Sequence, residues 1–261
     1  MRLEGLGAEE RKQKIIDIVE TKESVTVPEL VDTFCVTGAT IRGDLRELES
    51  QHKLIRTHGG AVSVSKRYFE DKPEERTHIL EKKLIVKKAL DYLSDGDSLL
   101  IDTGSTAVEF ARHVVASGIQ DLKIITNDIK VAEIIEECKS ASIILVGGMI
   151  RKGYHCTFGN QAADQLRRFT VNKAFMASTA FHTVNGFTTP SLHVAEMKQV
   201  MISRATQIIM MCDSSKLGKS TLCTFANMGD VDIMITDDKA NPEILDQMVN
   251  SQIDVVLAES L

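Results

Sequence analysis

The chain has 261 residues, 43% hydrophobic, 26% charged and 5% aromatic, a composition that predicts a globular protein with more than one core. Its 31 Lys and Arg against 37 Asp and Glu leave a formal charge of -6, which excludes a partner recognised by bulk positive charge and confines any nucleic-acid site to a local patch. Five cysteines with no C-x-x-C pair predict neither a disulfide framework nor a zinc site.

The opening Met1-Arg2-Leu3-Glu4-Gly5-Leu6 runs into charged residues, so no secretory signal is expected. Nor does any stretch approach the ~20 apolar residues that span a bilayer, and a cytoplasmic protein without membrane contact is the expectation. From Ala8 to Lys22, Ile15, Ile18 and Val19 share one helical face. Thr26-Val27-Pro28-Glu29 is a capping box with proline in the first turn, and it starts a short second helix reaching Phe34. After the turn Cys35-Val36-Thr37-Gly38, residues Ala39 to Glu49 carry Ile41, Leu45 and Leu48 on one stripe, so a third helix packs on the first two. Such a turn sets the third helix steeply to the second, the geometry that lets a helix enter a major groove. Arg42 and Arg46 lie four apart on a face away from the apolar stripe, with Thr37 and Thr40 near the helix start. That face suits phosphate or guanine; because Asp44, Glu47 and Glu49 share the helix, an ordinary solvated face is the competing reading. Leu54 to Val62 reads as two short strands around a turn, which places Lys53, Arg56 and His58 on a wing.

The order Val36-Thr37-x-x-Thr40-Ile41-Arg42-x-Asp44-Leu45, followed by Leu48-Glu49 and Ile55-Arg56-x-His58-Gly59-Gly60-Ala61, resembles the winged helix-turn-helix of the DeoR family of bacterial sugar-catabolism repressors. The resemblance implies contact with duplex operator DNA through Thr37, Thr40, Arg42, Arg46, Lys53, Arg56 and His58. Two departures stand out: Gly43 where the family usually has a second arginine, and His52 near where it has glycine.

Ser63 to Arg76 is polar and charged around Pro73 and reads as a linker, after which a helix over Ile79 to Leu93 opens a second domain. The expected boundaries are therefore 1–62, 63–78 and 79–261. Six runs in the second domain read as buried strands: Ser98 to Ile101, Lys123 to Ile125, Ile143 to Val146, Ala174 to Ala177, Ile208 to Cys212 and Val231 to Ile235. Alternation with helices such as Ala107 to Val115 and Val131 to Glu137 predicts an α/β fold, a mostly parallel sheet with flanking helices. Ligands of such sheets bind beyond the carboxyl ends of the strands, where this chain concentrates Gly, Ser, Thr, Asn, Asp and Lys. Gly104-Ser105-Thr106 at the start of the Ala107 helix suits an anion, although a plain strand-to-helix turn with Ser105 as N-cap explains the same residues. With no G-x-G-x-x-G and no Walker loop, no cofactor is expected.

Asp102-x-Gly104-Ser105-Thr106, Thr126-Asn127, Gly147-Gly148, Gly159, the segment Gly186 to Lys198, Asp213-x-Ser215-Lys216 and Thr236-Asp237 resemble, in order, the DeoR-type sensor domain. That resemblance implies a fold similar to ribose-5-phosphate isomerase and coenzyme A transferases, and a phosphorylated sugar or sugar acid as effector. It carries Asp102, Gly104, Ser105, Thr106, Thr126, Asn127, Gly147, Gly148, Glu196, Lys198, Asp213 and Lys216 into the effector site, with Lys198 or Lys216 supplying charge. The family's usual glycines are replaced at Ala177-Ser178-Thr179-Ala180. The expected function is a repressor of carbohydrate-catabolism genes, acting as a homo-oligomer on two half-sites and released from DNA by its effector. The competing class is a sugar-phosphate isomerase or transferase with Glu196 or Asp102 as base.

Overall fold

A computed structural model describes residues 6–22, 24–51, 53–57, 59–63 and 77–259. The chain forms two compact units, Met1–Glu70 and Asp71–Leu261. Among the described residues no helix is long and apolar enough to cross a membrane.

In the first unit α1 (Ala8–Lys22), α2 (Val27–Phe34) and α3 (Gly38–Ser50) surround a core that includes Ile15, Leu30, Phe34, Ile41 and Leu45. The capping box at Thr26 forms, with Glu29 N donating to Thr26 Oγ1 at 3.3 Å and Thr26 N to Glu29 Oε2 at 2.7 Å. Because that pair satisfies two helix-start N–H groups from within four residues, α2 begins where its sequence alone places it. The wing strands β2 (Leu54–Thr57) and β3 (Gly60–Ser63) pair antiparallel. A third strand, β1 (Ser24–Thr26), joins the outer side of β3. It was not foreseen, being three residues wedged between two helices. Gly60 makes the contact possible: a Cβ there would lie 2.0 Å from Val25 O. Strand β3 ends one residue past the expected 62, and the expected linker lies outside the described residues over 64–76.

The second unit opens with α4 (Ile79–Ala89) and is built on a seven-stranded sheet. Its strands are β4 (Ser98–Ile101), β5 (Leu122–Thr126), β6 (Ala141–Leu145), β9 (Val171–Ala177), β12 (Ala205–Met211), β14 (Ile233–Asp237) and β15 (Asp254–Ala258). The spatial order is β15-β14-β12-β9-β4-β5-β6 and every pairing is parallel. The six expected strands are all present, shifted or lengthened by a few residues at their ends, and β15 is the seventh.

Alternation along each strand divides the core between the two faces. Leu99, Ile101, Phe175, Ile209 and Met211 face α4, α5 (Ser105–Ser117) and α6 (Ile129–Glu136). Leu100, Met176, Met210 and Met234 face α7 (Asn160–Leu166), α8 (Leu192–Ser203) and α9 (Pro242–Asn250). A buried Leu or Phe on either face contributes roughly 1.5–3 kcal/mol. A small antiparallel sheet of β10 (Ala180–His182), β11 (Gly186–Thr189) and β13 (Cys223–Ala226) packs Phe181, Phe187 and Phe225 onto the second face. The hairpin β7 (Met149–Arg151) and β8 (Cys156–Phe158) follows β6. From β4 the chain winds outward to β6, then returns to β9 and winds the other way, so the topological switch lies between β4 and β9.

Candidate functional sites

On the first unit, Thr37 caps α3 by accepting from Thr40 N at 3.2 Å, and the two hydroxyls lie 2.9 Å apart. Arg42 and Arg46 are exposed, and Arg46 Nε reaches Arg42 O at 3.4 Å. The Arg42 guanidinium lies beside Gly38, where a Cβ would sit 3.4 Å from Nη1. Gly43 is exposed with open space around it.

The acidic residues of α3 do not dilute this face. Asp44 is buried, taking Arg11 Nε at 2.7 Å and Nη2 at 3.2 Å, a two-pronged pair that fixes α3 against α1. Its hydrogen bond holds the Arg11 guanidinium above its usual pKa. Glu47 pairs with Lys12 at 2.5 Å. Glu49 accepts from Arg56 N at 3.0 Å and lies 3.7 Å from its guanidinium, joining α3 to the wing. Lys53 is exposed at the entry to β2, and His58 lies outside the described residues. The result is a helix whose carboxylates each meet a cation while Arg42 and Arg46 face solvent.

On the second unit, all seven parallel strands end on one edge, and there the loops of β4 and β5 interlock. Gly104, at φ 106° and ψ 177°, is the N-cap of α5, not Ser105 as anticipated. That backbone conformation is open to glycine alone, and it leaves the helix start without a side-chain cap. Gly104 N donates to Asp128 Oδ2 at 3.0 Å, while Asp128 Oδ1 caps α6 through Lys130 N at 2.8 Å and Val131 N at 3.2 Å. Burial pushes the Asp128 carboxyl up, against the pull of those N–H donors. Asp128 was missed in the sequence. Thr126 Oγ1 accepts from Asp128 N at 3.0 Å, and Asn127 Nδ2 donates to Thr157 O at 2.7 Å. Asn127 Oδ1 is buried without a hydrogen-bond partner.

The switch point itself holds a buried ion pair. Asp102 Oδ2 accepts from Ala177 N at 2.9 Å and from Lys198 Nζ, which also donates to Ala177 O at 2.8 Å. Asp102 and Lys198 are 2% and 3% exposed, so each neutralises the other in a dry setting. Lys198 is thus committed to Asp102, and Lys216 is the half-buried member of the expected pair of cations. Nor does Asp102 have the access a general base needs.

The remaining candidates are dispersed. Asp213 is buried and bonded to Ser215 N at 3.2 Å and to the Ser215 hydroxyl, and Lys216 N donates to Asp213 O at 3.0 Å. Gly147 N meets Gln165 Oε1 at 3.1 Å. Gly148 packs so close to β8 that a Cβ would lie 2.7 Å from Phe158 O, a tight backbone approach. Thr106 is buried in the first turn of α5 beside Ser105. Glu196 is not brought to Lys198: it is half-exposed on the opposite side of α8, 3.5 Å from His193, lining a cleft of about 410 Å³ with Gly159, Asn160, Arg167 and Gln199.

Comparison with known proteins matches residues 11–67 to the DeoR-like helix-turn-helix domain and residues 77–238 to the DeoR C terminal sensor domain. The chain is 36% identical to the HTH-type transcriptional regulator YulB of Bacillus subtilis, over 94% of this chain and 95% of that protein. It is 30% identical to the lactose phosphotransferase system repressor of Lactococcus lactis, over 93% of this chain and 96% of that protein. Among solved structures, ribose 5-phosphate isomerase A from Methanocaldococcus jannaschii aligns with a TM-score of 0.39 at 16% identity, over 52% of this chain and 53% of that chain.

Proposed function

The chain belongs to the DeoR family of transcriptional regulators, and on that premise we propose that it represses carbohydrate-catabolism genes and leaves its operator when a phosphorylated sugar or sugar acid binds the second unit. The observation that carries the DNA half is α3, with its three carboxylates engaged by Arg11, Lys12 and Arg56 while Arg42 and Arg46 stay exposed. Wing residues Lys53, Arg56 and His58 would hold the backbone, and Thr37 and Thr40 would set the helix start against a phosphate.

For the effector, the support is the uncapped start of α5 at Gly104, flanked by Ser105, Thr106, Thr126 and Asn127. Helix-start N–H groups and their dipole favour a phosphate or carboxylate there, and Lys216 would add charge. The pair Asp102–Lys198 holds α8 to the ends of β4 and β9 and would serve as the floor of this site. Carbohydrate genes as targets are supported by the Lactococcus relative, whose name ties it to the lactose phosphotransferase system. Because a ligand of equal affinity for both states shifts nothing, the effector must bind the DNA-releasing state more tightly.

The test is fluorescence anisotropy of the chain on labelled fragments of its own promoter region, titrated with a panel of sugar phosphates and sugar acids. Binding that one of them reverses is the expected result. A chain that ignores every fragment at low salt refutes the DNA half. Firm binding that no member of the panel changes, with no thermal shift, refutes the effector half.

A further inference from the structure

Strand β6 forms one edge of the seven-stranded sheet, and its sequence Ala141-Ser142-Ile143-Ile144-Leu145 contains no charge and no proline. Proteins normally blunt such edges with charges, prolines or a covering element, because unpaired N–H and C=O groups template another strand. The opposite edge carries charge at both ends, since β15 starts with Asp254 and is followed by exposed Glu259, and its one exposed large apolar side chain is Leu257, at 40%. At β6 the apolar surface is instead extended. Ile144 and Leu145 are each 43% exposed, and Met149 and Ile150 of the following hairpin are 67% and 59% exposed. Four large apolar side chains open to water within seven residues mark an interaction surface.

We propose that β6 is the edge through which two copies of this chain pair, antiparallel about a twofold axis. Charge selects a second copy as the occupant. Exposed Glu136 and Glu137, partly offset by Lys139, precede the strand, whereas exposed Lys152 follows β7, next to Arg151, whose guanidinium stacks on Tyr154. Antiparallel self-pairing sets the acidic end of each copy toward the basic end of the other, twice, while parallel pairing would oppose like charges. Side-chain volume agrees: an axis through Ile143 sets Ala141 opposite Leu145 and Ser142 opposite Ile144 of the partner, small against large. An isologous contact of this kind also supplies the two reading helices that a two-half-site operator needs. Only that last argument rests on the proposed DNA-binding function.

Light scattering coupled to size exclusion, on the full chain at low-micromolar concentration with neither DNA nor effector, tests the pairing. The wild type is expected at an even multiple of 28.8 kDa. Ile144→Lys and, independently, Ser142→Lys should each halve the mass with an unchanged circular dichroism spectrum; where one variant fails to fold, the other decides. Lys152→Glu should weaken association several-fold, and adding Glu137→Lys should restore it. A wild type at single-chain mass, or folded variants that keep the wild-type mass, overturns the proposal. Either result leaves the anisotropy test of DNA binding intact, so failure of this interface is distinguishable from failure of the proposed function.

Discussion

Asp102 and Lys198 are 96 positions apart in the chain and are among the most buried charges of the described residues. Removing one partner strands the other in a low-dielectric setting, which costs about 3–5 kcal/mol. Lys198→Met is therefore expected to lower the unfolding free energy by that order in urea denaturation, and Asp102→Leu combined with Lys198→Met to recover much of the loss. A Lys198→Met chain as stable as wild type would mean that Asp102 is solvated. Asp128 makes the converse prediction, about pH. Its carboxyl is raised by burial, so the folded chain favours the protonated form more than the unfolded chain does. The contribution of such a group to stability is complete below the ordinary carboxylate range and is lost as pH rises through the raised value. Compared with Asp128→Asn, which does not titrate, wild type should hold its greatest relative stability in acid and lose it as pH rises above the ordinary carboxylate range. Thermal melts of both proteins across that range check this; a constant difference removes it.

Helix α3 shows how local signals and distant ones combine in one element. Thr37 caps it, and Thr37→Ala should cost about 1 kcal/mol of stability, read from denaturant midpoints at constant slope. Gly43 sits mid-helix and exposed with nothing near its would-be Cβ, so Gly43→Ala should stabilise by about 1 kcal/mol. Gly43→Arg should keep most of that gain and tighten operator binding, whereas unchanged affinity would place position 43 away from the duplex. The bounds of α1, α2 and β4 were legible because period, cap and strand length are written within a few consecutive residues. The pairing of α3's carboxylates was not. Asp44 finds Arg11 from 33 positions away, so the sequence shows three acids on a helix and not that each is engaged. The same reason hid Asp128, whose second task is to hold Gly104 from another loop. It also separated Glu196 from Lys198: two positions apart on a helix means opposite sides, and only the fold reveals which side meets the strand ends.

At the scale of the whole molecule, a chain of net charge -6 is asked to hold a polyanion, so its affinity must come from a few local cations and the counterions they displace. Two reading units that together neutralise on the order of six phosphates should lose about 10³-fold in affinity between roughly 50 and 200 mM salt. Arg46→Ala separates two roles within that figure. If Arg46 takes a phosphate, the variant binds all sequences more weakly and the salt slope falls by about one; if it takes a base edge, the loss is about 1–3 kcal/mol and preference at that base relaxes. An unchanged affinity removes Arg46 from the interface. The proposed release of the operator by a sugar-phosphate effector is bound by a further symmetry. Whatever factor by which a sugar phosphate weakens the operator complex, operator DNA must weaken sugar-phosphate binding by the same factor. Calorimetric titration of the ligand into free chain and into the DNA complex measures it directly. Equal ligand affinity in the two titrations would leave the second unit with no hold over the first, however tightly each binds its own partner.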